Sequence, residues 1–125
     1  MPHLLLVMAG GALGAGARFL LGRWTLHQFG SAFPWGTFAV NLLGGFAMGL
    51  LVGWLARHGQ GGEGWRLFLG IGLLGGFTTF SAFSLEIVNM VERGAIGLAA
   101  LYALASVLGA VAALLAGLWI VRIAA

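Results

Sequence analysis

The sequence predicts an all-α integral membrane protein with four transmembrane helices, the third broken near its middle, assembled as an antiparallel (inverted, dual-topology) homodimer. Three observations carry this. First, the 125 residues are 61% hydrophobic and 7% charged, with a mean hydropathy of +1.05, whereas a soluble domain carries about 25% charged residues. A helical crossing takes about 20 apolar residues, so four crossings with short connections nearly use up the chain, which reads as one membrane domain over residues 1–125. Second, the third apolar segment is interrupted by Gly75-Gly76-Phe77-Thr78-Thr79-Phe80-Ser81-Ala82-Phe83-Ser84. Each glycine weakens a helix by about 1 kcal/mol relative to alanine, and lipid offers the hydroxyls no partners. Polar groups placed there mark a functional site.

Third, the arginines are balanced. If four spans alternate, Arg57, Arg66 and Arg122 share one side with the N-terminus, and Arg18, Arg23 and Arg93 lie on the other. The positive-inside rule needs an imbalance. A chain without one can insert both ways and pair with an inverted copy of itself, and four thin, glycine-rich helices cannot enclose a pore alone.

The net charge of +3 comes from arginine without lysine, scattered singly and with no basic aromatic patch, so nucleic acid is excluded as a partner. The absence of cysteine removes disulfides, thiol chemistry and Cys-based metal sites. No nucleophile, base or metal constellation supports an enzyme. The apolar start reads as the first transmembrane helix, since no positively charged stretch precedes it.

The spans fall at about residues 4–21, 35–55, 66–92 and 95–121. In span one, Gly10, Gly14 and Arg18 share a face, and small residues at that spacing permit close helix approach. Arg18 either snorkels to the headgroups, or lines an anion vestibule or pairs with Glu86 or Glu92. Trp24 to Pro34 reads as a turn-rich loop with a solvated His27. Span two is bracketed by Trp35 and Trp54, separated by roughly the thickness of the hydrocarbon core, which marks them as interface anchors. Between them, Asn41, Gly45, Gly49 and Gly53 recur every fourth residue, placing one amide on a close-packing face. The loop Ala56 to Trp65, with Arg57, His58, Gln60 and Glu63, looks exposed and carries no chemistry.

Span three is longer than one straight crossing needs, and two half-helices meeting at Gly75 to Thr79 account for the excess. Carbonyls freed at such a break can hold a cation. Beyond it, Phe80 and Phe83 share one face, Ser81 and Ser84 an adjacent one, and Glu86 lies further along. Two phenylalanines at that spacing ordinarily pack, but the positive edge of an aromatic ring can also meet a small dehydrated anion. In span four, Tyr102, Ser106 and Ala110 form a small, partly polar inward face, and Leu114, Leu115 and Leu118 suit lipid.

Three stretches, Gly10 to Arg18, Gly36-Thr37-Phe38-Ala39-Val40-Asn41-Leu42-Leu43-Gly44 and Gly75 to Phe83, resemble the signatures of the CrcB/Fluc fluoride channel family, in the same order. The resemblance implies a passive, fluoride-selective channel in the cell inner (plasma) membrane, multi-pass, that lets cytoplasmic fluoride escape and so protects the cell from fluoride toxicity. It implies antiparallel homodimers in the lipid bilayer with two fluoride pathways. The pathway residues would be Asn41, Phe80, Phe83, Ser81, Ser84, Tyr102 and Ser106, with Arg18 and Glu86 in the vestibule. Gly75 and Thr78 would hold a structural sodium ion through their backbone carbonyls at the dimer interface. Ala82 and Ala110 stand where the family usually carries hydroxyls.

Two rivals are a small dual-topology multidrug or guanidinium exporter and a non-transporting membrane assembly protein. The exporter works through a carboxylate in its first span, and span one here has no Asp or Glu. An assembly protein leaves the hydroxyl-rich break without a purpose.

Overall fold

The computed structural model describes residues 2–59 and 61–124; Gln60 lies outside them. All regular structure among them is helical. The elements are α1 (Pro2–Phe29), α2 (Trp35–Arg57), a short α3 (Glu63–Trp65) running into a π-helical segment (Arg66–Leu74), α4 (Gly75–Phe77), α5 (Ser81–Glu92) and α6 (Ile96–Ile123). Among the described residues, four helical runs are long and apolar enough to cross a membrane: α1, α2, Glu63–Glu92 and α6.

The helices outlast the apolar stretches. α1 continues through Arg23, Trp24 and His27, so His27 is exposed as expected, but on a helix and not in a loop. Gly30 then ends the helix at φ +77°, a conformation that favours glycine. The same device closes α5. Gly94, at φ +83°, donates to the Val91 carbonyl while Ala95 donates to that of Met90, a Schellman ending that turns the chain into α6.

Glycines set the packing, and they make two close helix pairs. On one side α2 lies against α6. A Cβ on Gly45 would meet the Ala110 carbonyl oxygen at 2.8 Å, one on Gly53 the Val121 side chain at 2.9 Å, and one on Gly49 would collide with the Leu114 carbonyl. The four-residue glycine period of α2 is thus a seam for α6, completed by Gly117 from the other side, whose Cβ would strike the Phe46 carbonyl. This corrects the lipid-facing expectation for Leu114 and Leu118. Both lie along the seam through their backbones and are only partly exposed, while Leu115 is exposed.

On the other side α1 lies against the π segment and α4. Gly10 and Gly14 admit the Phe68 and Leu73 carbonyls, and Gly76 comes against the Gly11 backbone. In the π segment the Gly75 N–H reaches back five residues to the Gly70 carbonyl. This wide turn is rare and is frequent at functional sites.

Hydrogen bonding of the Glu63–Glu92 run lapses between Phe77 and Ser81. Thr78 has extended backbone, φ −82° and ψ 161°, and α5 starts afresh.

Candidate functional site

The groups freed at this lapse are met by side chains. Thr79 N–H donates to Asn41 Oδ1 at 2.9 Å instead of to the Gly75 carbonyl four residues back, and Asn41 Nδ2 donates to the Thr79 carbonyl at 3.0 Å. The Ala82 N–H donates to Thr79 Oγ1 at 3.2 Å instead of to the Thr78 carbonyl, capping the start of α5. Thr78 turns its own hydroxyl back onto the Leu74 carbonyl at 2.9 Å. The carbonyls of Gly75 and Thr78 thereby lose the N–H partners that an unbroken helix would give them.

Arg18 completes the arrangement. Its Nε donates to the Gly76 carbonyl at 3.1 Å, placing a cation at the C-terminal end of a helical run, where the dipole favours one. It pairs with neither Glu86 nor Glu92 among the described residues. Its guanidinium borders a cavity of about 250 Å³ together with Thr37 and Thr79.

Beside this lapse lies an open groove of about 370 Å³, bordered among others by Asn41, Thr79, Phe80, Phe83, Ser106 and Ala110. Three helical runs meet there: α2 supplies Asn41, α5 and the residue before it supply the two phenylalanines, and α6 supplies Ser106. The Phe80 and Phe83 rings are 5.7 Å apart, tilted by 46°. Phe80 is 76% exposed in the single chain, whereas Phe83 is buried. Ser106 is 4% exposed, and its hydroxyl has no hydrogen-bond partner among the described residues. A buried hydroxyl left unpaired costs about 1–3 kcal/mol.

Behind the groove, Tyr102 is fully buried, its ring 5.1 Å from that of Phe83. Its hydroxyl donates to Glu86 Oε1 at 2.8 Å, and Thr37 Oγ1 donates to Glu86 Oε2 at 2.8 Å. Glu86 borders a second cavity, of about 340 Å³, with Thr37, Asn89, Arg93 and Phe33.

The structure therefore gathers Asn41, Phe80, Phe83 and Ser106 at one groove and places Tyr102 directly behind it. Ser81 and Ser84 do not border this groove; Ser81 is exposed, and Ser84 turns its hydroxyl onto the Phe80 carbonyl at 2.9 Å. Arg18 and Glu86 border separate cavities that share Thr37. Sequence reasoning missed Thr37, which only the polar position four residues before Asn41 could have suggested, and Phe33, for which the turn-rich loop offered no signal.

Residues 5–118 match the family model described as "CrcB-like protein, Camphor Resistance (CrcB)". The chain is 62% identical over 123 residues to the "Fluoride-specific ion channel FluC" of Phenylobacterium zucineum, covering 98% of this chain and 97% of that one. Proteins of the same name from Caulobacter sp. strain K31 and Sphingopyxis alaskensis are 58% and 56% identical, each over 98% of this chain and 96% or 97% of their own. The chain belongs to the CrcB-like protein family.

Proposed function

We propose that this chain is a passive fluoride-selective channel that works as an antiparallel homodimer. The observation that carries the reading is the groove at the break, bordered by the Phe80 and Phe83 rings and by Ser106, whose buried hydroxyl has no partner among the described residues. The name shared by its near full-length relatives agrees with it.

Fluoride is small and strongly hydrated, so a pore must replace its water with donors that hold it weakly enough to let go. Ser106 supplies one O–H. Asn41 supplies a second donor, because an amide has two N–H groups and Thr79 takes only one. Phe80 and Phe83 supply ring edges, the positive side of the aromatic quadrupole. None of these carries a full positive charge, which would trap the ion. Tyr102, Thr37 and Glu86 continue the polar line behind Phe83, and Arg18 lends positive potential from the far side of the break. Ser81 and Ser84 serve the route from the exposed face of α5.

The exposed Phe80 and the open groove call for a second copy to close them, and the balanced arginines favour an inverted one. In that dimer the third span acts as two half-helices. The Gly75 and Thr78 carbonyls, released from helical bonding, would hold the sodium ion at the dimer axis: main-chain oxygens of a broken membrane helix are donors that suit Na⁺. The ion would supply a fixed central charge that offsets part of the anion's cost. The membrane is the cell's inner (plasma) membrane, where a passive pore lets cytoplasmic fluoride run down its gradient.

Expression in fluoride-sensitive cells tests the reading. Tolerance to fluoride should rise; unchanged tolerance with the protein in the membrane counts against it. Tags on the chain ends should report from both sides of the membrane in intact cells, and one-sided reporting would remove the inverted dimer.

A further inference from the structure

We infer that Phe33, in the connection between α1 and α2, is a positioning residue for Tyr102, and through it for the phenylalanine pair at the groove. The inference rests on the channel reading above and extends the working part of the site to a loop outside the groove. The rings form one continuous series. Phe80 lies 5.7 Å from Phe83, Phe83 5.1 Å from Tyr102, and Tyr102 5.2 Å from Phe33, the last pair meeting edge to face at 83°. Phe33 is fixed in turn by Trp35 at 4.6 Å and Phe38 at 5.8 Å, both on α2.

Tyr102 is therefore held at three points. Phe83 packs on its ring, Glu86 accepts from its hydroxyl, and Phe33 stands against it from the connecting loop. Two of these partners sit on α5, so whatever α5 does they do together. Phe33 belongs to neither α5 nor α6 and gives Tyr102 its independent reference. It also borders the cavity that contains Glu86 and Thr37, so the same ring that orients Tyr102 walls that cavity. An edge-to-face pair is worth about 0.5–1.5 kcal/mol beyond its buried area. That suffices to select one orientation of a ring whose hydroxyl and edge must both be placed.

The test compares Phe33→Leu, which keeps an apolar side chain but removes the ring, with Phe33→Trp, which restores one. In liposomes, Phe33→Leu should reduce fluoride efflux by about tenfold, the upper end of what one aromatic pair supplies, and Phe33→Trp should recover most of the rate. In a Tyr102→Leu background the same Phe33→Leu change should have no further effect, because two residues acting as a unit are not additive. A readout independent of transport is available because Tyr102 is the sole tyrosine. Labelled as 3-fluorotyrosine, it should give one fluorine NMR resonance that shifts or broadens in Phe33→Leu and returns in Phe33→Trp. If Phe33→Leu does not fold, Phe33→Met replaces it and is read the same way. Wild-type efflux from the folded Leu variant, an additive loss in the Tyr102→Leu background, or an unmoved resonance would each overturn the inference. A wild-type protein that passes no fluoride, yet shows the resonance shift, would remove the channel reading and leave the positioning of Tyr102 standing.

Discussion

Asn41 returns to Thr79 both of the backbone hydrogen bonds that Thr79 gives up on leaving the helix, accepting from its N–H and donating to its carbonyl. A single side chain on α2 thus substitutes for a turn of helix in the third crossing. Buried backbone groups left without partners cost about 1–3 kcal/mol each, so the lapse in helical bonding persists because α2 satisfies it.

Asn41→Ala should accordingly lower stability by about 1–3 kcal/mol. Asn41→Asp should lower it further when the carboxylate is ionised, since an acceptor-only oxygen would then face the Thr79 carbonyl. Thermal unfolding of the detergent-solubilised protein measures both, and a melting temperature for Asn41→Ala equal to wild type would contradict this role.

Ser106→Ala should separate stability from transport. Removing a buried hydroxyl that bonds to nothing among the described residues should leave the melting temperature unchanged or raise it. Fluoride flux should fall, because a dehydrating donor is gone. A variant with full flux would mean that the hydroxyl is merely tolerated.

Phe80→Ile and Phe83→Ile should both sharply reduce fluoride flux, but with different effects on stability. Phe80 is mostly exposed in the chain, so its replacement should leave folding nearly intact, whereas Phe83 is buried between Phe80 and Tyr102 and its loss should also lower the melting temperature. Size-exclusion profiles alongside efflux rates distinguish the two. Unchanged flux in both would reduce the rings to packing.

Gly49→Ala and Gly97→Ala form a matched pair. A Cβ at Gly49 runs into the Leu114 carbonyl and the Leu118 amide, neither of which can move alone, and overpacking of this kind costs about 1–3 kcal/mol. At Gly97 an added Cβ meets nothing within 4 Å, and alanine favours a helix by about 1 kcal/mol over glycine. Melting temperatures should fall for the first and hold or rise for the second. The reverse order would mean that the α2–α6 seam is placed wrongly.

Much of this architecture was legible in the sequence because lipid enforces simple rules. Hydropathy revealed four crossings, and the period of Gly45, Gly49 and Gly53 exposed the seam before its partner was known. The two glycines and two threonines at positions 75, 76, 78 and 79 marked where helical hydrogen bonding lapses. What stayed hidden were contacts to the backbone. Arg18 reads as snorkelling, as lining a vestibule or as pairing with a glutamate, but it donates to the Gly76 carbonyl, and a main-chain oxygen freed where helical bonding lapses carries no sequence signature. Asn41 was legible as a polar residue on a packing face, yet its bond to Thr79 depends on how two helices register. Leu114 and Leu118 read as lipid-facing by side chain, whereas their backbones meet the Gly49 position. Phe33 sits in a segment whose glycine, serine and proline describe a turn and conceal the ring beneath it.

On the proposed reading, this chain passes fluoride and rejects chloride. Efflux from liposomes loaded with both fluoride and chloride, followed by an electrode for each ion in the same sample, tests it most directly. Rapid fluoride loss with negligible chloride loss is the predicted result. Equal loss of both ions, no fluoride loss from vesicles that contain folded protein, or cation transport coupled to protons would contradict it.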